Sequence, residues 1–289
     1  KKTMAAKTQL IEELLMQCPP GELSYALKDL QTFLGEDPPG LRGVVRAVNC
    51  DHMIAVPVLG SDHKVLITKQ GEVDAIHYFD PRGQQLITFD HMKREVTGTE
   101  PRAPEFPDLE PFRLAMDEEF GQYVTETFKD GVHAVYATVD QATSTPTLTI
   151  CLHALKTNIP CFWSGSFRAV WTIPLSAAPD PDSSTQVEGS LRLRLHYYED
   201  GNIQLSAKDS PSLTVSYSDS KSLATNVVTA IRSSDSDFFS SQFNTSEEFS
   251  TTGLKEIRRT LPVTQQRFDW HGLATLKLVS ELHLRRTSV

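Results

Sequence analysis

Residues 189–205 read "GSLRLRLHYYEDGNIQL", and leucine alternates with arginine or histidine through the first part of this stretch. A period of two predicts a β-strand with one buried face and one polar face. The Asp200-Gly201 pair that follows is a strong signal for a two-residue hairpin turn, with Glu199 and Asn202 at the strand ends. The stretch therefore predicts two antiparallel strands joined by a tight turn.

The same stretch places His196 close to Glu199 and Asp200, so an acid–base site is the competing interpretation. Such a site needs its groups held close together in a sheltered place, whereas the tip of a turn is exposed and its carboxylates stay solvated. We interpret the cluster as hairpin structure rather than as a catalytic site.

Five strand-length runs, of which the hairpin forms the last two, follow one another without a helix between them, and this order predicts an antiparallel meander. A long helix is predicted next, from Ser218 to Thr260, with an apolar stripe expected to lie across the sheet. The predicted strands lie at about 132–139, 147–155, 162–174, 187–198 and 202–206. The stripe comprises Val227, Val228, Ile231, Phe238, Phe239 and Phe243.

The part of the chain before the meander changes character at about residue 56. Before it, leucines at helix spacing predict three short helices in a small bundle, with "CPPGE" ending the first. After it, "KVLITKQGE" and "GQQLITFDH" predict strands, with a tight turn at "FDPRGQ". The proline-rich "TGTEPRAPEFPDLEP" (97–111) is interpreted as a surface linker, and the helix after it is expected to end at Gly131.

The composition is that of a soluble globular protein, with 39% hydrophobic and 22% charged residues among 289. The sequence has no run of about 18 apolar residues, so no membrane-spanning helix is predicted. Its charged, helical start does not resemble a signal peptide. The four scattered cysteines lack metal-ligand spacing and are expected to be reduced thiols.

The net charge of −9 argues against a general nucleic-acid binder, but the charge is unevenly distributed. From Lys255 onward seven basic residues stand against three acids, so this segment carries +4 and residues 1–254 carry −13. A basic tail on an acidic body is typical of an element that meets an acidic partner. Beyond Pro262, apolar positions from Leu273 to Leu282 predict an amphipathic helix, which can dock on its own body or in a partner's groove.

Enzyme motifs are missing from the sequence, which has no G-x-S-x-G, no Gly-rich phosphate loop and no H-E-x-x-H. Cys161 lies beside Phe162 and Trp163, a setting more typical of a core residue than of a nucleophile. We therefore predict no enzyme activity, no catalytic residue, no cofactor and no metal site.

Several strings, taken in order, resemble one protein family. "HYYEDGNIQL" (196–205) resembles the signature of the alpha subunit of the heterodimeric F-actin capping protein, and "LKEIRRTLPVTQQRFDW" (254–270) resembles that family's second signature. "CPPGEL", "VLIT", "FDPRG" and "FWSGSFRAVW" are similar to further segments of the family in the same order. The resemblance runs from about Ala5 to Leu282, which is nearly the whole chain.

The resemblance implies an α+β fold in four parts. These are an N-terminal helical stalk (1–55), a small β region with a linker (56–108), a dimerisation body (109–260) and a C-terminal tentacle (261–289). The body is a five-stranded antiparallel meander covered by a long helix, and the tentacle is an amphipathic helix. In the family, this sheet joins that of a similarly folded beta subunit across a pseudo-two-fold interface.

For function, the resemblance implies a subunit that caps the barbed ends of actin filaments. Charge at the base of the tentacle gives steering, and apolar burial of the tail slows dissociation. The family's basic positions fall on Lys255, Arg259 and Gln265, the last of which is an arginine in the family. The expected actin-binding residues are Lys255, Arg258, Arg259, Arg267, Trp270, Leu273, Leu276, Lys277, Leu278 and Leu282.

The partners implied are a capping protein beta subunit, the end of an actin or actin-related filament, and capping-protein-binding regulators. The implied location is the cytoplasm and cytoskeleton. The serine-rich helix and the unmatched tail "LHLRRTSV" leave a second interpretation open. In it, the chain is a structural subunit of another assembly, such as the actin-related filament of dynactin or a flagellar axoneme. A shared sheet also predicts that the chain is unstable without its beta subunit.

Overall fold

The structure is a computed structural model that describes residues 2–35, 40–139, 144–175, 183–198 and 203–248. Along the chain it consists of a bundle of helices, a small β region, and a large antiparallel sheet with two helices packed on one face. The predicted α+β class is therefore confirmed.

The first three helices form the predicted bundle, which we call the stalk. They are α1 (Lys2–Gln17), α2 (Leu23–Leu34) and α3 (Leu41–Asp51). Apolar side chains from all three, such as Leu15, Leu27 and Val45, converge on one buried cluster. Two prolines and Gly21, whose φ of +88° suits glycine, turn the chain from α1 into α2.

The small β region consists of a two-stranded and a three-stranded antiparallel sheet. β1 (Ile54–Pro57) pairs with β2 (Lys64–Ile67). β3 (His77–Asp80) pairs with β4 (Gln85–Asp90), which also pairs with β5 (Glu95–Pro101). The turn predicted at "FDPRGQ" joins β3 to β4 and is confirmed.

The prediction of a surface linker is wrong for residues 97–101, which belong to β5. This strand lies at the edge of its sheet, and its side chains are exposed or half-buried. It therefore lacks the apolar alternation by which a strand is usually found in a sequence. Pro101 is tolerated because an edge strand needs no backbone donor on its outer side.

Helix α4 (Glu110–Thr127) packs on one face of the large sheet and ends before the predicted stop at Gly131. The helix stops where Phe128 takes an extended backbone conformation. The ring of Phe128 then stacks on Phe167 of the sheet, with 5.4 Å between ring centroids. The helix therefore ends where this ring is buried, and Gly131, at which a Cβ would lie 2.7 Å from Phe128 Cβ, lets the chain turn close to the helix end.

The large sheet is the predicted meander, with the strand order β10-β9-β8-β7-β6. The alternation in β9 is confirmed: Leu191 and Leu193 are buried against the helices, and Arg192 and Arg194 lie on the other face. The strands are β6 (Val132–Val139), β7 (Pro146–Asn158), β8 (Trp163–Pro174), β9 (Ser183–Tyr197) and β10 (Ile203–Asp209).

A further strand, β11 (Ser212–Tyr217), is not among the sequence predictions. β10 pairs with residues 191–197 of β9, and β11 pairs with residues 183–188 on the same side of that strand. Together they form one edge of the sheet, interrupted at Ser210 and Pro211. At the interruption, Gly189 N–H donates to the carbonyl of Pro211 at 2.8 Å.

The long helix α5 (Ser220–Glu248) lies beside α4 across the apolar face of the sheet, as predicted. Five of the six predicted stripe residues belong to the core: Val227, Val228, Ile231, Phe238 and Phe239. The side chain of Phe243 and residues 249–260 lie outside the described part of the chain. None of the helices within the described ranges is long and apolar enough to span a membrane.

One acidic side chain is buried between the two covering helices. Asp235 of α5 is fully buried, and its Oδ2 accepts a hydrogen bond of 2.7 Å from the hydroxyl of Tyr123 of α4. The guanidinium of Arg232 lies over the Tyr123 ring, 5.0 Å from its centroid. Burial raises the pKa of Asp235 to about 7 and outweighs the hydrogen bond from Tyr123, which lowers it.

Candidate partner-binding surfaces

The stalk covers the polar face of the large sheet at β8 and β9, where Arg168 and His196 are only 6% and 5% exposed. The spacing that buries leucines under α4 and α5 directs the intervening side chains toward the stalk. Arg194 donates to the carbonyls of Met16 and Gln17, at 2.7 and 2.8 Å, at the C-terminus of α1. These carbonyls have no partner within the helix, and a cation suits the negative end of its dipole.

A second set of contacts joins the end of α3 to the same face. Arg168 Nη1 donates to Asp51 Oδ2 at 3.1 Å, and Arg192 Nη1 donates to Asp51 Oδ1 at 2.8 Å. Burial raises the pKa of Asp51, but the two arginines outweigh it and hold the pKa below its usual range. We call the contacts of Arg168, Arg192 and Arg194 with the stalk the joint.

His196 lies at the joint and not in a reaction cleft. Its Nδ1 is 3.6 Å from the carboxylate of Glu22, at the start of α2. Glu199 and Asp200, its partners in the acid–base interpretation, lie outside the described residues. The contact of His196 with Glu22 therefore serves the docking of the stalk.

The predicted hairpin is confirmed by the pairing of β9 with β10, but its register is shifted by one residue. A two-residue turn at Asp200-Gly201 would place Gln204 opposite Tyr197. The structure pairs Tyr197 with Ile203 instead. The turn residues themselves, 199–202, lie outside the described part of the chain.

A groove of about 1090 Å³ lies between the stalk and the polar face of the sheet. Its stalk wall carries large apolar side chains that are open to solvent, with Leu14 54%, Tyr25 73% and Phe33 84% exposed. Its sheet wall is basic and includes Arg192 and Lys208. Neighbouring exposed apolar side chains of this size are typical of a surface that another protein covers.

The edge formed by β10 and β11 continues this surface. Its outer side pairs with no strand among the described residues. Such an edge presents backbone N–H and C=O groups that can extend the sheet with a strand of another chain. Leu205 of β10 is 45% exposed and also lines the groove, so the two features are contiguous. We call the groove and this edge together the partner surface.

The described residues contain no cluster suited to metal binding. No group of three or more His, Cys, Asp or Glu within them could hold a metal ion. All four cysteines are free thiols, as predicted. Burial raises the pKa of Cys18 to about 11 and also raises that of Cys50, which opposes formation of the reactive thiolate.

The prediction that Cys161 is a core residue is wrong, because this cysteine is exposed. It does not belong to a strand. It closes a short 3-10 turn, Ile159–Cys161, that connects β7 to β8, and its N–H donates to Asn158 Oδ1 at 3.3 Å. The buried aromatic residue of the string is Trp163, the first residue of β8.

The sequence matches the family model of the F-actin capping protein alpha subunit over residues 11–281. This chain belongs to that family. The F-actin-capping protein subunit alpha of Dictyostelium discoideum is 30% identical over 287 residues, which cover 97% of this chain and 100% of the relative. That of Arabidopsis thaliana is 27% identical, covering 96% of this chain and 92% of the relative.

The capping-protein fold is also found by comparison with solved structures. The homodimeric actin capping protein alpha subunit from Plasmodium berghei matches with a TM-score of 0.72 at 24% identity. The match covers 91% of this chain and 100% of that chain. The relatives named here are all actin-capping protein alpha subunits, so they do not favour the dynactin or axoneme interpretation.

The residues that the capping-protein resemblance assigns to actin lie outside the described residues, because α5 is described only to Glu248. Their role stays a prediction. They are Lys255, Arg258, Arg259, Arg267, Trp270, Leu273, Leu276, Lys277, Leu278 and Leu282.

The sequence reasoning missed the partner surface, although α2 carries a signal for it. The leucines at helix spacing in α2 are Leu23, Leu27, Leu30 and Leu34, and this stripe is buried at Leu23 and Leu27. Tyr25 and Phe33 fall off that stripe, on a different side of the helix. A short helix with large apolar side chains on two sides has a second surface to cover.

Proposed function

We propose that this chain is the alpha subunit of a heterodimer with a capping protein beta subunit. The dimer binds barbed ends of actin filaments and blocks subunit exchange. The family match over residues 11–281 carries this proposal. The partner surface supports the dimer, because exposed aromatic rings and an open sheet edge lie side by side.

The uneven charge distribution supports different roles for the acidic body and the basic C-terminal segment in the encounter with actin. The acidic body repels an acidic surface, while the +4 segment from Lys255 is attracted to it, so the C-terminal segment leads the approach. The apolar positions from Leu273 to Leu282 then contribute buried area, which slows dissociation.

The test is barbed-end elongation of actin seeds in the presence of the full chain, co-expressed with its beta subunit. We expect the dimer to stop growth at nanomolar concentration. A chain that ends at Gln266 lacks Arg267, Trp270 and the apolar positions from Leu273 to Leu282, and its affinity should fall by at least about tenfold.

A chain that ends at Leu284 is the matched control, since it loses only the last five residues and keeps the apolar positions. It should cap within about threefold of the full chain. If a stable dimer forms and the full-length version does not slow growth, capping by this chain is refuted, and the structural-subunit alternative takes its place.

A second copy of this chain is the other candidate for the partner surface, because the matching Plasmodium berghei protein is described as a homodimer. Light scattering on the chain expressed alone separates the two cases. A soluble particle of twice 32.2 kDa would indicate self-association, whereas dependence on co-expression for solubility supports the heterodimer.

A further inference from the structure

A smaller cavity lies within the joint, next to the groove. It has a volume of about 170 Å³ and is bounded by residues 18–21, His52 and the polar side chains of β7, β8 and β9. Liquid water takes about 30 Å³ per molecule, so the cavity has room for a small polyatomic ion. Neither dimer formation nor actin capping, as proposed above, makes use of it.

The wall of this cavity is rich in guanidinium groups. Arg94, Arg168 and Arg194 all line it, and no carboxylate does. The pKa of each arginine is lowered, with burial as the largest cause in all three. These cations have therefore lost water without full compensation by opposite charge.

Of the three arginines, Arg94 has the positive charge that is least balanced by neighbouring groups. Its Nη1 donates to Ser24 Oγ at 2.6 Å, but its Nε is buried without a hydrogen-bond partner. It forms no ion pair with any residue in the described ranges. A buried N–H that makes no hydrogen bond is costly, so this position favours a ligand that accepts one.

Two histidines, His52 and His153, line the cavity without adding charge, and His52 also adds a donor. His52 Nε2 is also buried without a hydrogen-bond partner. Burial and the charge of Arg168 lower the pKa of His52 to about 3 and that of His153 to about 4. Both rings are therefore neutral at pH 7, and a neutral imidazole donates one N–H.

The nearest carboxylates do not bond the two unpartnered donors. Asp51 is shared by Arg168 and Arg192. Glu22 is 47% exposed and lies beside His196. Neither forms a hydrogen bond with Arg94 Nε or His52 Nε2, since both of these atoms lack a partner. The cavity thus keeps an excess of positive charge and of buried donors.

We propose that this cavity binds a small tetrahedral oxyanion, with inorganic phosphate as the representative ligand. The anion accepts hydrogen bonds from Arg94 Nε and His52 Nε2, and the guanidinium groups of Arg168 and Arg194 balance its charge. His52 follows α3, Arg94 precedes β5, and the other two arginines belong to β8 and β9. The anion therefore links the stalk, the small β region and the large sheet, and it stabilises the joint.

The experiment is thermal unfolding of the full chain, in whichever oligomeric form it purifies, at constant ionic strength. Sodium chloride is replaced by about 20 mM sodium phosphate at pH 7. We expect Tm to rise by about 2–4 °C, because a ligand that binds only the folded state stabilises it. Arg94→Gln removes the unpartnered donor, and the phosphate-dependent rise should fall to a third or less.

Lys129→Gln is the matched control, because it removes one exposed positive charge beyond the end of α4. It should keep the full phosphate-dependent rise in Tm. If Arg94→Gln does not fold, Arg94→Lys keeps the charge but lacks the Nε donor, and it should lose at least half of the rise. No rise in the wild-type chain, or an equal rise in the foldable Arg94 variant, would overturn the proposal.

Discussion

Asp235 is an acid in a place where an apolar side chain would be expected. It lies at helix spacing from Ile231 and Phe238, both of which are buried under α5. Its position on the buried side could be derived from the sequence once the stripe was recognised. The hydrogen bond that Asp235 accepts from Tyr123 could not be derived from the sequence, because that contact depends on how α4 and α5 pack.

The buried acid should make the stability of the protein depend on pH. Its pKa is raised to about 7 in the folded state, against roughly 4 in an unfolded chain. The folded state therefore binds more protons between these values, and the free energy of unfolding falls as pH rises from 4 to 7. The asparagine of Asp235→Asn stays neutral, so the variant lacks this pH dependence. Between pH 5 and pH 8 its free energy of unfolding, measured in urea, should rise by about 2 kcal/mol relative to that of the wild type.

Asp237→Asn is the control for this series, because Asp237 is two residues away on the same helix and exposed. It should follow the pH dependence of the wild type. An Asp235→Asn variant that shows the same pH dependence as the other two chains would mean that Asp235 is not protonated in the folded state at pH 5.

At the scale of elements, the meander could be predicted because its strands alternate strongly and no helix interrupts them. β11 alternates too, with Leu213, Val215 and Tyr217 at a period of two. It was missed because it is a second piece of the edge, and its pairing with β9 is visible only in the sheet. β5 was missed for a different reason, since its composition is that of a polar edge.

Gly189 allows β9 to pass the point where its neighbour changes from β10 to β11. A Cβ at this position would lie 2.5 Å from Trp171 Cζ3 and 2.9 Å from Pro211 Cγ. Trp171 is fully buried and cannot move aside. Gly189→Ala should therefore lower the free energy of unfolding by about 1–3 kcal/mol, measured by urea denaturation.

Gly98→Ala provides the comparison at another strand glycine. Its Cβ would lie 3.6 Å from the nearest atom, Thr88 Oγ1, which is an ordinary contact. Its free energy of unfolding should stay within about 0.5 kcal/mol of the wild type. Equal effects of the two substitutions would show that the close approach at Gly189 has no energetic consequence.

At the scale of the whole molecule, the partner surface predicts which side chains a second chain covers. Tyr25 and Phe33 contribute little to the stability of this chain alone, since both are largely exposed. The double variant Tyr25→Ser, Phe33→Ser should therefore fold normally. Its affinity for the beta subunit should fall by at least about tenfold, because buried aromatic side chains dominate protein interfaces. Competition between the variant and the wild-type chain for co-expressed beta subunit would measure this.

Leu59→Ser is the matched control, because Leu59 is fully exposed in the connection between β1 and β2 and does not line the groove. Its affinity for the beta subunit should equal that of the wild type. If the double variant binds as tightly as this control, the groove is not part of the interface.

The sequence could not reveal the joint, the groove or the anion cavity, because each brings together residues far apart in the chain. Arg194 and Met16 are 178 residues apart, and Arg192 and Asp51 are 141 residues apart. Alternation places the arginines on a polar face, but it does not say what covers that face. The usual expectation for such a face is solvent, and here it is the stalk.

The joint has a mechanical consequence. Apolar contacts are non-directional, so they allow two packed elements to shift relative to each other. Hydrogen bonds from guanidinium groups to specific carbonyls and carboxylates are directional, so they fix the orientation of the stalk relative to the sheet. The stalk and the sheet should therefore move together as one rigid unit. A partner that contacts both the stalk and the sheet edge would bind two surfaces whose relative orientation is already fixed. Association would then not cost the entropy of fixing that orientation.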